Sequence, residues 1–516
     1  MRLVGLRRSR RLHVMLLHAL VAALMVLPSS VAAQAAPLGG LDSYIESAMR
    51  DWSVPGLAIA VVRNDSIIHA RGYGVRELGR PDRVDEHTLF AIASTTKAMT
   101  TAALGMLVDE DSLDWDDRVV EHLPSFELSD AYLTHNLTVR DLITHRAGIS
   151  RSDNLWIAGP FDRAEVLRRA RYLEPVNGFR SQYGYHNVMY TTAGEVVAAA
   201  AGMSWDDFIE QRLFRPLGMD RSTTRAAVVA TRDNVSAPHT WDDDRVIAGQ
   251  LRNYDNLGGA GSAFSSVHDM AQWIRLHLNE GVYEGQRLLS EATMRELHEP
   301  QVVIHADTTS ERMYPGTNLR AYALGWQVQD YHGHELVHHS GSLNWTRTHV
   351  MMVPEEDIGV VVIANLGSSN LQQGIAFRVI DALLGLPQRD WSAELLALAQ
   401  RGEKRSEARA KEVEESRVPD TRPSLALDGY TGTYRSELYG DVRLRMENGH
   451  LVLDYAPDYV ADLEHWHHDT FRAVWRRAGF GRDFVTFSLD RDAEAAELEL
   501  SGFGEFERVE AEPAAP

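Results

Sequence analysis

The sequence predicts a mixed α/β domain followed by a smaller all-β domain, on three observations. GLAIAVVRNDSIIHARGYG, from Gly56, gives two strands around the turn Asn64-Asp65, and VVVIANL, from Val360, reads as a buried strand. Between them lie helical stretches such as TKAMTTAALGMLVDE. From about residue 426, YTGTYRSELYGDVRLRMENGHLVLDYA alternates apolar and polar residues around the turn Asn448-Gly449, as expected of a small barrel or sandwich rich in aromatic residues.

Taken in order, the chain opens on residues 1–35, where five arginines precede an apolar run at residues 14–27 and small residues around Ala33 and Ala35. This is the pattern of a cleaved signal peptide, and the run is too short for a membrane-spanning helix. The expectation is export to the periplasm or beyond, with no stable membrane insertion after cleavage. Ser9-Arg10-Arg11 leaves the route, general secretory or twin-arginine, open. With 516 residues and 44% hydrophobic content, the rest suits a globular enzyme. The sequence has no cysteine, which excludes disulfides and thiolate metal sites. The leader carries no acid, so its removal takes the formal charge from −21 to −26, which disfavours nucleic acid and anionic membranes as partners. Residues 38–390 form the first domain. Residues 391–425 are charged, with helical spacing followed by Pro419 and Pro423, and read as a linker; residues 426–511 form the β domain.

Lysine usage singles out one position. Only Lys97, Lys404 and Lys411 are lysines among 52 basic residues, so Lys97 stands alone in the first domain. An arginine keeps its proton under working conditions, whereas a buried lysine can become a base. Lys97 follows Ser94 by three residues in FAIASTTKAMT, and at a helix start that spacing puts amine and hydroxyl on one face, able to activate the serine as a nucleophile. Phe90, Ile92 and Met99 around them suggest burial rather than a solvated lysine.

A second stretch, HELVHHSG from His334, fits H-E-x-x-H as a helix and H-x-G as a strand. Gly333 and Gly341 and the lack of helix caps make it the second strand of a hairpin. There His334 and His338 stand about 13 Å apart, four steps of roughly 3.3 Å, too far to share a zinc ion. Period two puts Val337, His339 and Gly341 on one face and His338 and Ser340 on the other. His465, His467 and His468 beside Trp466 read as aromatic packing, His145 as structural, and Ser265-Ser266 as a helix cap with Asp269 completing a capping box.

TLFAIASTTKAMTTAALGMLVDEDSLDWDDRVVEHLP, LTVRDLITHRAGI, YGYHNVMYTTAGEVVAAAAGMSWDDFIEQRLFRPLGM, GGAGSAFSSVHDMAQW and LGWQVQDYHGHELVHHSG follow one another over most of residues 40–370. In them the chain resembles the serine β-lactamase and DD-peptidase superfamily, in its class C-like branch. The tail, with LEHWHHDTFRAVW, resembles a lipocalin-like β domain appended to some members.

The resemblance implies a transpeptidase-like α/β fold, an antiparallel sheet flanked by helices with a helical subdomain. It makes Ser94 the nucleophile, Lys97 its basic partner, and Tyr185 of Tyr185-His186-Asn187 a proton carrier, with Asn187 holding a substrate amide. His339-Ser340-Gly341 takes the place of K-T-G, His339 binding a carboxylate or assisting proton transfer and Gly341 admitting substrate backbone. The backbone N–H groups of Ser94 and Ser342 would form the oxyanion hole. Ser152-Asp153-Asn154 spells the class A motif S-D-N but reads as a turn near the site. Trp345, where many relatives have glycine, is expected to narrow the pocket. The activity implied is a metal-free, cofactor-free acyl-enzyme hydrolase for small-molecule or peptide substrates, cell-wall fragments among them. A D-amino-acid peptidase or DD-carboxypeptidase leads; a broad esterase, a weak β-lactamase, and a penicillin-recognising protein without turnover are the alternatives.

Overall fold

The computed structural model describes residues 38–305, 313–314 and 317–509; the leader expected at residues 1–35 lies outside the described residues. The described residues from Asp42 onward make up one compact unit, which holds both the sheet and the barrel.

β1 (Gly56–Arg63) and β2 (Ser66–Gly74) form the expected hairpin, with Asn64 and Asp65 both at positive φ, 49° and 56°, which these short polar side chains tolerate in a tight turn. They edge an eight-stranded antiparallel sheet completed by β3 (Val302–Val303), β4 (Arg320–Tyr322), β5 (Gln327–Tyr331), β6 (His334–Leu343), β7 (Thr346–Val353) and β8 (Ile358–Ala364), in the order β2-β1-β8-β7-β6-β5-β4-β3. All seven residues of β8 are buried, which is why its sequence reads as an unbroken apolar run rather than an alternation.

The longest helices are α1 (Thr96–Asp109), α2 (Asn187–Ala201), α3 (Val267–Leu278), α4 (Leu371–Leu383) and α5 (Trp391–Glu415). α3 and α4 pack on β8, and Ile274 of α3 fills the space that a side chain at Gly359 would take. α1 packs on α2, and both touch the 3₁₀ turn Asp255–Ala260. Ser266 caps α3, its hydroxyl accepting from Asp269 N at 3.2 Å. The reciprocal half of the expected capping box is missing, because the Asp269 carboxylate turns away to accept from the Arg221 and Ser222 amides, each at 2.9 Å.

The segment read as a linker begins with the 25-residue helix α5. Its first turn belongs to the hydrolase core: Trp391 is buried, stacks 4.6 Å from Phe377, and donates from Nε1 to Asp381 at 2.7 Å. Exposed charge covers the remainder, which ends before Pro419. Beyond it, β9 (Gly432–Ser436), β10 (Gly440–Glu447), β11 (His450–Ala456), β12 (Tyr459–His467), β13 (Thr470–Trp475), β14 (Arg482–Leu489), β15 (Ala495–Leu500) and β16 (Gly504–Val509) close into a barrel, β9 pairing with β16. Leu444, Leu453, Leu463, Val485, Leu498 and Phe506 are among the buried residues, the period-two half of each strand.

In an up-and-down barrel alternate turns share one end, and here that end faces the hydrolase domain. The β9–β10 turn accepts a bond from Arg169 Nη1 to Glu437 O (2.6 Å), and the β15–β16 turn one from Asn154 Nδ2 to Gly502 O (2.8 Å). Asp458 in the β11–β12 turn pairs with Arg252 at 3.0 Å. Trp345 belongs to this contact rather than to the catalytic pocket it was expected to narrow. Its ring packs against Gly249 and, 3.3 Å from a side chain built at Gly479, against the β13–β14 turn, with the Arg477 guanidinium 5.9 Å from its centre.

Among the described residues no helix is long and apolar enough to cross a membrane.

Candidate active site

The chain enters the site through Ala93, which holds a positive φ of 53° as the first residue of the short 3₁₀ turn Ala93–Thr95 that runs into α1. An alanine there is strained, and the strain lifts Ser94 into the mouth of a pocket instead of continuing the preceding strand. One turn later, Lys97 is 0% exposed. Its Nζ stands 3.2 Å from Ser94 Oγ and 2.7 Å from each of two carbonyl oxygens, Asn187 Oδ1 and Ala260 O. Burial pushes the ammonium well below its usual pKa; Asp153 opposes this and Arg151 reinforces it. A neutral amine has two N–H bonds and one lone pair. The carbonyls can only accept, so they take both N–H bonds and leave the lone pair facing the Ser94 hydroxyl.

Tyr185 Oη donates to Ser94 Oγ at 2.8 Å. Burial raises this phenol well above its ordinary value, so Tyr185 stays protonated and Lys97 is the group able to take the serine proton. His145 sits behind the tyrosine ring, 4.2 Å between centres, and its Nδ1 accepts from the His186 amide at 3.0 Å. Asn187, the first residue of α2, gives its oxygen to Lys97 and donates from Nδ2 to Asp153 Oδ1 at 2.9 Å. It therefore positions the lysine first, leaving one amide hydrogen for the substrate bond expected of it.

Two third-motif residues act differently from expectation. His339 has both ring nitrogens engaged, Nδ1 with Ser340 O at 2.6 Å and Nε2 with the Tyr322 hydroxyl at 3.1 Å. Burial, with Lys97 nearby, holds its pKa down to about 3, so a neutral imidazole without a free donor walls the pocket and has nothing to offer a carboxylate. Gly341 serves the nucleophile turn rather than substrate backbone: a Cβ there would lie 2.3 Å from Ile92 O and 3.2 Å from Ser94 N. Only glycine lets β6 pass this close beneath Ser94.

These groups open on a cavity of about 510 Å³. Ser94, Tyr185, Asn187, His339 and Ser342 line its polar side, and Trp156, Ile157, Tyr254, Leu257 and Leu343 an apolar wall. The segment read as a turn carries more than that: Asp153 also accepts from Trp156 Nε1 at 3.0 Å and binds Arg151 Nε at 2.5 Å, while Arg151 lies over the Tyr185 ring. The literal S-D-N string was the available signal for Asp153. Nothing in the sequence marks Ala260 O, which acts through its backbone. His334, in the zinc-like pattern, lies at the far end of β6 beside Glu355.

The sequence model of the Beta-lactamase family matches residues 41–384, and that of a Domain of unknown function (DUF3471) matches residues 416–513. "Unguisins hydrolase ungD" of Aspergillus violaceofuscus is 26% identical over 79% of this chain and 76% of its own. "Protein flp" of Staphylococcus aureus strain MW2 is 24% identical over 64% of this chain and 63% of its own. Among solved structures, the octameric penicillin-binding protein homologue from Pyrococcus abyssi aligns over 90% of this chain and 98% of its own with a TM-score of 0.61 at 20% identity. That likeness is one of fold.

Proposed function

Since the chain belongs to the β-lactamase family of serine hydrolases, we propose that it hydrolyses amide or ester bonds of small D-amino-acid-containing peptides through an acyl-enzyme on Ser94, after export directed by residues 1–35. The observation that carries this is the Lys97 amine, whose N–H bonds both go to carbonyls while its remaining position faces Ser94 Oγ. In this reading Lys97 takes the hydroxyl proton as Ser94 Oγ attacks the substrate carbonyl carbon. The backbone N–H groups of Ser94 and Ser342 receive the negative oxygen. Tyr185, kept protonated by its burial, delivers a proton to the leaving nitrogen or oxygen and is reprotonated by the Lys97 ammonium, which holds the proton taken from Ser94. A water then attacks the acyl carbon and restores Ser94.

The apolar wall suits an acyl side chain of moderate size, and the third motif supports a peptidase over an efficient β-lactamase because neutral His339 replaces a cationic lysine. The hydrolase name of the Aspergillus relative agrees with turnover rather than mere recognition.

Intact-mass labelling with a serine-directed fluorophosphonate, then hydrolysis assays on D-peptides, p-nitrophenyl esters and β-lactams, tests this. One adduct, lost in Ser94→Ala, with D-peptides turned over fastest, is expected. Labelling elsewhere would remove the nucleophile assignment, and faster ester or β-lactam turnover would replace the substrate class.

A further inference from the structure

Behind the strand that carries His339 lies a second chamber of about 230 Å³, reached from the catalytic pocket past Gln327, Ser340 and Arg347, which line both. It sits on the opposite face of β6, where His338 and Ser340 point. His338 and His349, neighbours on β6 and β7, stack there 5.6 Å apart with planes 10° from parallel. All four of their ring nitrogens lack a hydrogen-bond partner although the residues are only 7% and 2% exposed. Gln329 Nε2 and Gln372 Oε1, on residues each 3% exposed, are equally unpartnered, and the Gln372 amide presents its NH₂ after a half-turn.

Charge points the same way. Arg320 and Arg347 line the chamber, Arg347 donating from Nε to Gly367 O, and among the described residues no carboxylate pairs with either and none lines it. Asn370, the N-cap of the 13-residue helix α4, also lines it, so a helix N-terminus converges on the same space. Water would satisfy the hydrogen bonds, but among the described residues it would leave two guanidiniums and a helix dipole without counter-charge in a half-closed cavity.

We infer that this chamber is a binding site for one small oxyanion, a carboxylate or an inorganic anion such as phosphate, held by Arg320, Arg347, His338, His349 and Gln329. Burial keeps both imidazoles neutral, and each then has one N–H to give. The inference stands apart from the hydrolytic reading, because Arg320, His338, His349, Gln329 and Gln372 take no part in the acyl transfer.

Calorimetric titration of the full-length Ser94→Ala protein with phosphate, sulfate, acetate and N-acetyl-D-alanine keeps binding separate from turnover. Saturable one-to-one binding is expected, about tenfold or more weaker in Arg320→Gln and in His349→Phe, since each loses one charged or donor partner. Gln372→Glu places a carboxylate inside the chamber, and this variant should melt higher without anion and bind none. Binding of the inorganic anions assigns the site to a free ion; binding of N-acetyl-D-alanine alone assigns it to the acidic end of a substrate. No saturable binding by any of the four, or binding unchanged in the three folded variants, overturns the inference.

Discussion

Replacing Lys97 by arginine separates charge from basicity. The lysine is closed off from solvent and stands 2.7 Å from two carbonyl oxygens and 3.2 Å from the serine. A guanidinium there still donates to Asn187 Oδ1 and Ala260 O, but it keeps its proton at any working pH and has no lone pair for the Ser94 hydroxyl. Loss of general-base help costs about 10²- to 10⁴-fold in rate, or about 3–5 kcal/mol of barrier. The assay is the time course of fluorophosphonate acylation by intact mass, with Ser94→Ala as blank and thermal melting as the check on folding. Lys97→Met accompanies it: it removes base and donor together, leaving two buried carbonyls unpaired at about 1–3 kcal/mol each, so its melting point reports the structural part alone. A folded Lys97→Arg protein that acylates at close to the unsubstituted rate would refute the base assignment, and the lone lysine of this domain would be incidental.

Three further outcomes are expected from the same geometry. Asp153 raises and Arg151 lowers the Lys97 pKa, so Asp153→Asn should move the acid limb of the acylation pH profile to lower pH and Arg151→Gln to higher pH; a common direction would mean that neither charge reaches the amine. Gly341→Ala, whose Cβ must avoid Ile92 O at 2.3 Å, should lower stability by about 1–3 kcal/mol and slow acylation; an unchanged melting point and rate would show that β6 and the nucleophile turn are not in tight contact. Buried His186, His298 and His349 have folded-state pKa values held down to about 4, so their contribution is absent above the unfolded value of about 6.5, where both states are neutral. As pH falls below it the unfolded chain alone takes up protons, at about 2 kcal/mol per histidine by pH 5. Melting temperature should therefore drop steeply from pH 6.5 to 4, and a flat profile would mean that these rings are protonated in the fold.

Local chemistry was legible in the chain wherever it depends on near neighbours. Ser94 and Lys97 share a turn, so their encounter follows from a three-residue spacing at a helix start. The hairpin around Asn64-Asp65 and the placing of HELVHHSG in a strand follow from turn residues and period two, and the β strands of the tail from their alternation, whereas closure into a barrel rather than a sandwich is set by the pairing of its first and last strands. Tertiary structure decided whatever depends on groups far apart in sequence. The partners that turn Lys97 into a base come from residues 187 and 260, the second a backbone carbonyl without a side-chain signature. His339 lost its expected donor because Tyr322 and the Ser340 carbonyl occupy both nitrogens, and Gly341 serves Ile92 because two chain segments cross there. The charged stretch after residue 390 shows no apolar stripe long enough to announce docking, yet the single ring of Trp391 ties its first turn to the core. Spacing in sequence fixes which side chains can meet within a turn or a strand pair; which groups are left without a partner, and with what charge around them, is set by packing between elements, and in this chain that decides the protonation states on which the proposed chemistry depends.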